Sequence, residues 1–230
     1  MPNSCCVWIG FTACCAACDS RPSFRDLGIP RRIPPPRKSS KKVGEQLLEI
    51  AAQHPGRRIQ VFFEDEARFG QQGTLTRVWA RTGSRPSAVR QTQYGFVYVL
   101  AAVCPETGQA EGLIAPRLDT VIVNLFLSQF AATLPADVQA VLIWDGAGYH
   151  RSGELRCPPN VTLISLPPYS PELNPVENLW HYLRSHHWSN RTYVAVDDLY
   201  DAAQSAWQAS CLTPSRIQTV CRAEYVQTRG

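Results

Sequence analysis

The stretch Leu166-Pro-Pro-Tyr-Ser-Pro-Glu-Leu-Asn-Pro-Val-Glu-Asn-Leu-Trp180 constrains the fold more than any other, because it reads as a strand end, a proline turn and a helix start in succession. Asn174 before Pro175 marks the helix start. The Asn side chain can accept a free backbone N–H, and proline loses nothing at the first helical position. Glu177 then falls in the first turn, while Val176, Leu179, Trp180 and Leu183 recur at helical spacing as an apolar stripe that packs on a sheet. Glu177 sits at the stripe's edge, and two readings of it stand. It is spaced from Asn174 like a capping box and suits the helix dipole; alternatively, it serves a site. Its company favours the second reading. Val141-Leu-Ile-Trp-Asp145 is a buried-strand run ending in a carboxylate, and Ile59-Gln-Val-Phe-Phe-Glu-Asp-Glu66 is another. Two strand-borne acids and one helix-borne acid make a candidate metal site.

The coarse order of elements supports such a convergence. Proline-rich sequence from Pro30 to Pro36 leads into a helix over 43–53. Strands follow at 59–63, at Arg77-Val-Trp-Ala80, at 94–103 and, after the turn Pro105-Glu-Thr-Gly108, at 109–114, three of them forming the antiparallel meander of the sheet. A helix over 119–134, with Val121, Leu125 and Phe126 on one side, leads to a strand over 138–145 and a fifth strand over 161–166. The Glu177 helix and a last helix over 196–209 complete the order. The expected class is α/β, a mixed five-stranded sheet of three antiparallel strands and then two parallel ones, flanked by helices in the ribonuclease H-like order. Asp65 in the first strand, Asp145 at the end of the fourth and Glu177 after the fifth can meet at one rim. Period-two alternation sends Glu64 and Glu66 to the face opposite Asp65.

At 230 residues and 44% apolar content the chain can bury one sizeable core. Its net charge of +4 is modest, but its distribution is not even. Arg21, Arg25, Arg31, Arg32, Arg37, Lys38, Lys41 and Lys42 face the single acid Asp26 between positions 21 and 42, making either a basic arm for phosphates or a solvated linker. The nine cysteines are odd in number; five of them crowd the first eighteen residues while Cys104, Cys157, Cys211 and Cys221 are scattered, which is no disulfide framework, and the interior thiols read as reduced. Cys15-Ala-Ala-Cys18 lacks a second ligand pair for zinc. The apolar segment 7–18 is too short for a membrane span and has no basic flank. Residues 1–20 read as an atypical, cysteine-rich start foreign to the domain, as an out-of-frame or mispredicted beginning would be. Peptide mapping of the natural product tests this.

Three motifs, Phe63-Glu-Asp-Glu-Ala-Arg-Phe69, Trp144-Asp-Gly-Ala-Gly-Tyr-His150 and the Leu166–Trp180 stretch, stand here in the order found in a known family. The chain resembles the DDE transposases of bacterial insertion sequences in the Tc/mariner superfamily, a branch of the ribonuclease H-like (retroviral integrase) superfamily. The resemblance runs from about Phe24 to Trp207. It implies metal-dependent phosphodiester hydrolysis at transposon ends, followed by strand transfer of the 3′-OH into target DNA. Residue by residue, the family's three metal-binding carboxylates fall on Asp65, Asp145 and Glu177. Asp65 would bridge two Mg²⁺ (or Mn²⁺) ions, Asp145 would hold one and Glu177 the other. Glu66, His150 and Asn174 are implied supporting residues, with Arg31, Arg32, Arg37, Lys38, Lys41 and Lys42 as DNA contacts. Arg68, Arg77, Arg81, Arg85 and Arg90 could line a DNA path, whereas Tyr169 and Trp180 read as core or turn packing.

The resemblance also implies a homodimer in the transposition complex, no membrane association, and a cytoplasmic, nucleoid-associated location. The expected organisation is residues 1–20 as described, 21–56 as a basic linker and helix left from a DNA-binding region, 57–210 as the catalytic domain and 211–230 as a tail. The chain thus reads as N-terminally truncated, and Gly146 replaces the Asn that family members commonly carry after the second Asp. The alternatives from other classes are an inactive remnant or DNA-binding partner without catalysis, and a ribonuclease H-like nuclease on structured nucleic acid.

Overall fold

The computed structural model describes residues 6–7, 38–73, 75–87, 90–145, 153–166 and 173–223. Its central element is β1 (Arg58–Gly70), which enters as the apolar run Ile59–Phe63 and continues as strand through Glu64, Asp65 and Glu66. Antiparallel to it lies β2 (Phe96–Val103), from Phe63↔Val103 to Gly70↔Phe96; β3 (Ala110–Ala115) returns antiparallel to β2. On the other side β4 (Val138–Trp144) runs parallel to β1, and β5 (Val161–Ser165) runs parallel to β4. The order β3-β2-β1-β4-β5 is the expected mixed five-stranded sheet. Every residue of β4 is buried, Gln139 included, as the apolar run Ala140–Trp144 requires of a strand covered on both faces.

Alternation along the strands divides the apolar residues into two cores, one on each face of the sheet. Phe63, Val99, Ala101, Val141, Ile143 and Ile164 share one core with helices α1 (Lys38–Gln53), α3 (Val176–Leu183), α4 (Val196–Ser210) and α5 (Pro214–Val220). Phe62, Leu100, Ala102, Leu142 and Trp144 share the other with α2 (Thr120–Thr133), where the rings of Phe62 and Phe130 meet edge to face at 4.8 Å. The packed body continues past Ser210, since Ile217, Cys221 and Ala223 are buried in the first core. Of the described cysteines, Cys104, Cys157, Cys211 and Cys221 are free thiols. Among the described residues, no helix is long and apolar enough to cross a membrane.

Two expectations fail, each for a physical reason. Arg77–Ala80 is not a sheet strand. The antiparallel place beside β1 belongs to β2, so 71–95 is an excursion from the sheet; among its described residues only Ala80–Arg81 pairs as strand, with Cys6–Val7. Val78 and Trp79 remain 41% and 46% exposed as a result. The second failure concerns α2, which buries Val123, Phe126, Leu127 and Phe130 while Val121 and Leu125 face solvent. Apolar residues surround that helix, and the choice of buried face is made by the sheet. Asp119 caps it, its carboxylate accepting the Ile122 N–H at 2.9 Å.

The turn between β2 and β3 carries a testable strain. Gly108 has φ +77°, and a Cβ there would overlap the backbone of Pro214 at the start of α5. Gly108→Ala is therefore expected to destabilise the fold by roughly 2–3 kcal/mol, read as a lower urea midpoint, because it both forces a left-handed non-glycine and displaces α5.

Candidate active site

The acids gather where β1 and β4 run side by side. Their parallel register runs to Phe63↔Ile143, so Asp65 and Asp145 each lie two residues beyond its last pair, at the same end of adjacent strands. Asp65 shares its face with Phe63 and therefore with α3. Glu64 and Glu66, opposite Ala102 and Leu100, belong to the α2 face, as alternation requires. Helix α3 begins one residue later than expected, at Val176, with Pro175 in the cap position. Glu177 lies in its first turn and is exposed.

Asn174 sets this junction. It is 5% exposed; its side-chain oxygen accepts the Val176 N–H at 3.2 Å, and its amide donates to the Glu64 carbonyl at 2.8 Å. One side chain thus starts α3 and ties it to the strand position just before Asp65. Glu177 takes no part in a side-chain capping box here; the cap contact comes from Asn174 alone.

The electrostatics follow from this packing. The Asp65 carboxyl is pushed up to about 7, by burial first and then by the Glu177 carboxylate, with a smaller rise from Glu66; hydrogen bonds from the Trp180 indole and the Glu66 backbone oppose the rise. The Trp180 Nε1–H donates to Asp65 Oδ2 at 2.9 Å, from a side chain only 1% exposed. Trp180 was expected to pack in the core, and it does. Its polar edge at the site escaped the sequence reading, although its position three residues after Glu177 on one helical face was the available signal. Glu64 is buried on the opposite face and raised well above the usual carboxylate range by burial, then by Glu66, Asp65 and Asp145.

The structure therefore brings Asp65 and Glu177 together through α3, and it brings the charge of Asp145, exposed at the end of β4, to Glu64. Among the described residues, no three His, Cys, Asp or Glu side chains stand close enough to cage an ion unaided. The donor set nevertheless suits a hard divalent cation. Asp65 is acted on by burial, two acids and two hydrogen-bond donors, an excess of negative charge that a cation relieves. Mg²⁺ also takes only one or two protein carboxylates, completing its shell with water and phosphate oxygens.

The remaining expected residues are distributed as follows. His150 and Tyr169, with Arg31, Arg32 and Arg37, lie outside the described residues, while Lys38, Lys41 and Lys42 fall in the first turns of α1. Glu66 is half-buried on the α2 face. Arg68 is exposed, its guanidinium 4.1 Å from the centre of the Phe96 ring; Arg77, Arg81, Arg85 and Arg90 are exposed on the 71–95 excursion.

Residues 60–200 match the family model of the DDE superfamily endonuclease. The y4pE/y4sA protein of Sinorhizobium fredii is 38% identical over 130 residues, covering 56% of this chain and 96% of that protein. The 39 kDa protein of insertion element IS630 from Shigella sonnei is 28% identical over 158 residues; the match takes in 66% of this chain but only 45% of that protein. Among solved structures, the Mos1 mariner paired-end complex with Mn superposes with a TM-score of 0.56 at 14% identity, over 86% of this chain and 64% of that one. The Mos1 transposase paired-end complex with the left transposon end gives 0.52 at 12% identity, over 88% and 68%. At such identities these two structures share the fold with this chain. The chain belongs to the DDE superfamily endonucleases.

Proposed function

We propose that this chain is the catalytic domain of a DNA transposase, with Asp65, Asp145 and Glu177 as its metal-binding carboxylates. The observation that carries the reading is the approach of Glu177 to a half-buried Asp65, on the strand next to the one that leads into Asp145. Two Mg²⁺ or Mn²⁺ ions held there would activate the attacking oxygen and neutralise the charge developing on the phosphodiester. The chain's own residues supply the frame. Asn174 holds α3 against β1, so that Glu177 and Asp65 are presented together. The Trp180 N–H limits the freedom of the Asp65 carboxylate. Glu66 adds negative charge from the other face.

In this reading the reaction is hydrolysis at a transposon end followed by attack of the freed 3′-hydroxyl on target DNA, carried out by a homodimer at the nucleoid in the cytoplasm. Residues 57–210 form the catalytic unit, with α5 packed on it, and the basic stretch 21–56 contacts DNA phosphates. Both Mos1 complexes named above are paired-end complexes, which supports DNA as the partner.

The test is divalent-dependent nicking of a supercoiled plasmid carrying candidate element ends. The wild-type chain is expected to nick in Mg²⁺ or Mn²⁺, and Asp145→Ala to lose that activity by about 10³-fold. Equal nicking by both would remove Asp145 from the site. No nicking by either, with protein that binds the ends, would favour a DNA-binding partner without catalysis.

A further inference from the structure

Trp180 combines two properties that core packing alone does not require. Its ring is buried with Val176, Leu179 and Leu183 in the core beneath the site, yet its single polar atom points at a carboxylate, 2.9 Å from Asp65 Oδ2. An indole can only donate, and at 1% exposure it has no water to donate to, so Asp65 is the acceptor that satisfies it. The same helix carries Glu177 three residues earlier, and Asn174 binds the start of that helix to the Glu64 carbonyl, adjacent to Asp65 in the strand. One acid and the donor that orients the other thus ride on one rigid element, fixed to β1 at two points.

We propose that Trp180 is a positioning residue for divalent-cation binding: its N–H holds one oxygen of Asp65, leaves the other oxygen for the cation, and sets the separation of Asp65 from Glu177. This rests on the carboxylate site proposed above. Mg²⁺ demands near-ideal octahedral geometry, so a carboxylate free to rotate penalises it more than the less exacting Mn²⁺. Groups that orient ligating carboxylates typically contribute about 10–100-fold to metal affinity.

The experiment is Mn²⁺ binding to the full chain without DNA, followed by the electron paramagnetic resonance of free Mn²⁺, for wild type, Trp180→Phe, Leu183→Ala and Asp65→Ala. Trp180→Phe keeps the aromatic volume and removes the donor; its Kd is expected to rise at least 10-fold, and its ratio of Mn²⁺- to Mg²⁺-supported nicking to rise as well. Leu183→Ala loosens the same helix without touching Asp65, and should lower Tm while leaving the Kd as in wild type. Wild-type Kd in Trp180→Phe, with binding lost in Asp65→Ala, would sink the role of Trp180 and spare the site. Equal weakening in Trp180→Phe and Leu183→Ala would assign the effect to packing and sink it too. Unchanged binding in Asp65→Ala would instead overturn the carboxylate site itself. A second measurement needs no variant: in the ¹⁵N-labelled wild type, saturating Mg²⁺ is expected to shift the Trp180 indole N–H resonance more than that of Trp207, and the absence of any shift counts against the proposal.

Discussion

Asp65→Asn should abolish nicking and at the same time make the metal-free protein more stable. The loss, on the order of 10³-fold, follows from replacing the central anionic ligand by a neutral amide, which removes several kcal/mol of charge stabilisation at the phosphodiester. The gain follows from the position of Asp65 in the folded chain. Burial and Glu177 raise its carboxyl from the usual 3.8 to about 7, so the folded state holds a proton that the unfolded chain has already released. Stability attributable to this group is therefore fully present below about pH 4, falls as pH rises through the window from 4 to 7, and stays low above it. Asn carries no charge at any of these pH values, and its carbonyl oxygen can still accept the Trp180 N–H. In a chelating buffer at pH 8 the variant should be more stable by about 2–3 kcal/mol, seen as a rise in Tm of roughly 5–10 °C; at pH 4 the two proteins should melt together. Added Mg²⁺ should reverse the order at pH 8, because only the wild type gains the binding energy. An Asn variant that melts below wild type at pH 8 in chelator would show that Asp65 is stabilised as an anion by the protein alone.

That opposition of activity and stability could be anticipated from the strand order, but only in part. Buried runs such as Val141–Trp144 declare themselves as strands, and alternation assigns Asp65 and Glu64 to different faces without any structure. Pairing is less local. The Arg77–Ala80 run has strand-like residues but no place in the sheet, because β2 takes the position beside β1. For α2, apolar residues on every side leave the buried face to be chosen by Phe62 and Leu142 across the interface. The candidate site divides in the same way. The three acids stand out by residue type and motif, whereas the Trp180 contact with Asp65 joins positions 115 residues apart and depends on how far α3 rotates on the sheet. Asn174 was readable as a helix cap. Its second bond, to the Glu64 carbonyl, was not, because no periodicity encodes the partner of a side-chain amide.

Asn174 is accordingly where the smallest chemical change should have the largest structural effect. In Asn174→Asp the shape is kept, and the oxygen that accepts the Val176 N–H remains. The other end changes sign: the amide that donates to the Glu64 carbonyl at 2.8 Å becomes a carboxylate oxygen facing that carbonyl, in a site 5% exposed and close to Asp65. The variant has two ways to respond. It can separate α3 from β1, or it can take up a proton and donate through the new hydroxyl. The second keeps the fold and ties it to pH, since the folded-state carboxyl is then raised above its unfolded value and its contribution is lost as pH rises. At pH 8 the destabilisation should reach about 3–4 kcal/mol, the loss of a buried hydrogen bond together with an unpaired buried charge. At pH 4.5 most of it should be recovered. Asn174→Ala removes the same bond without adding a charge, so it should lose about 2 kcal/mol with little dependence on pH. Urea unfolding of the three proteins at the two pH values separates these cases. Equal losses for Asp and Ala at both would mean that the amide's donation to β1 is not what holds α3, and with it Glu177, in place.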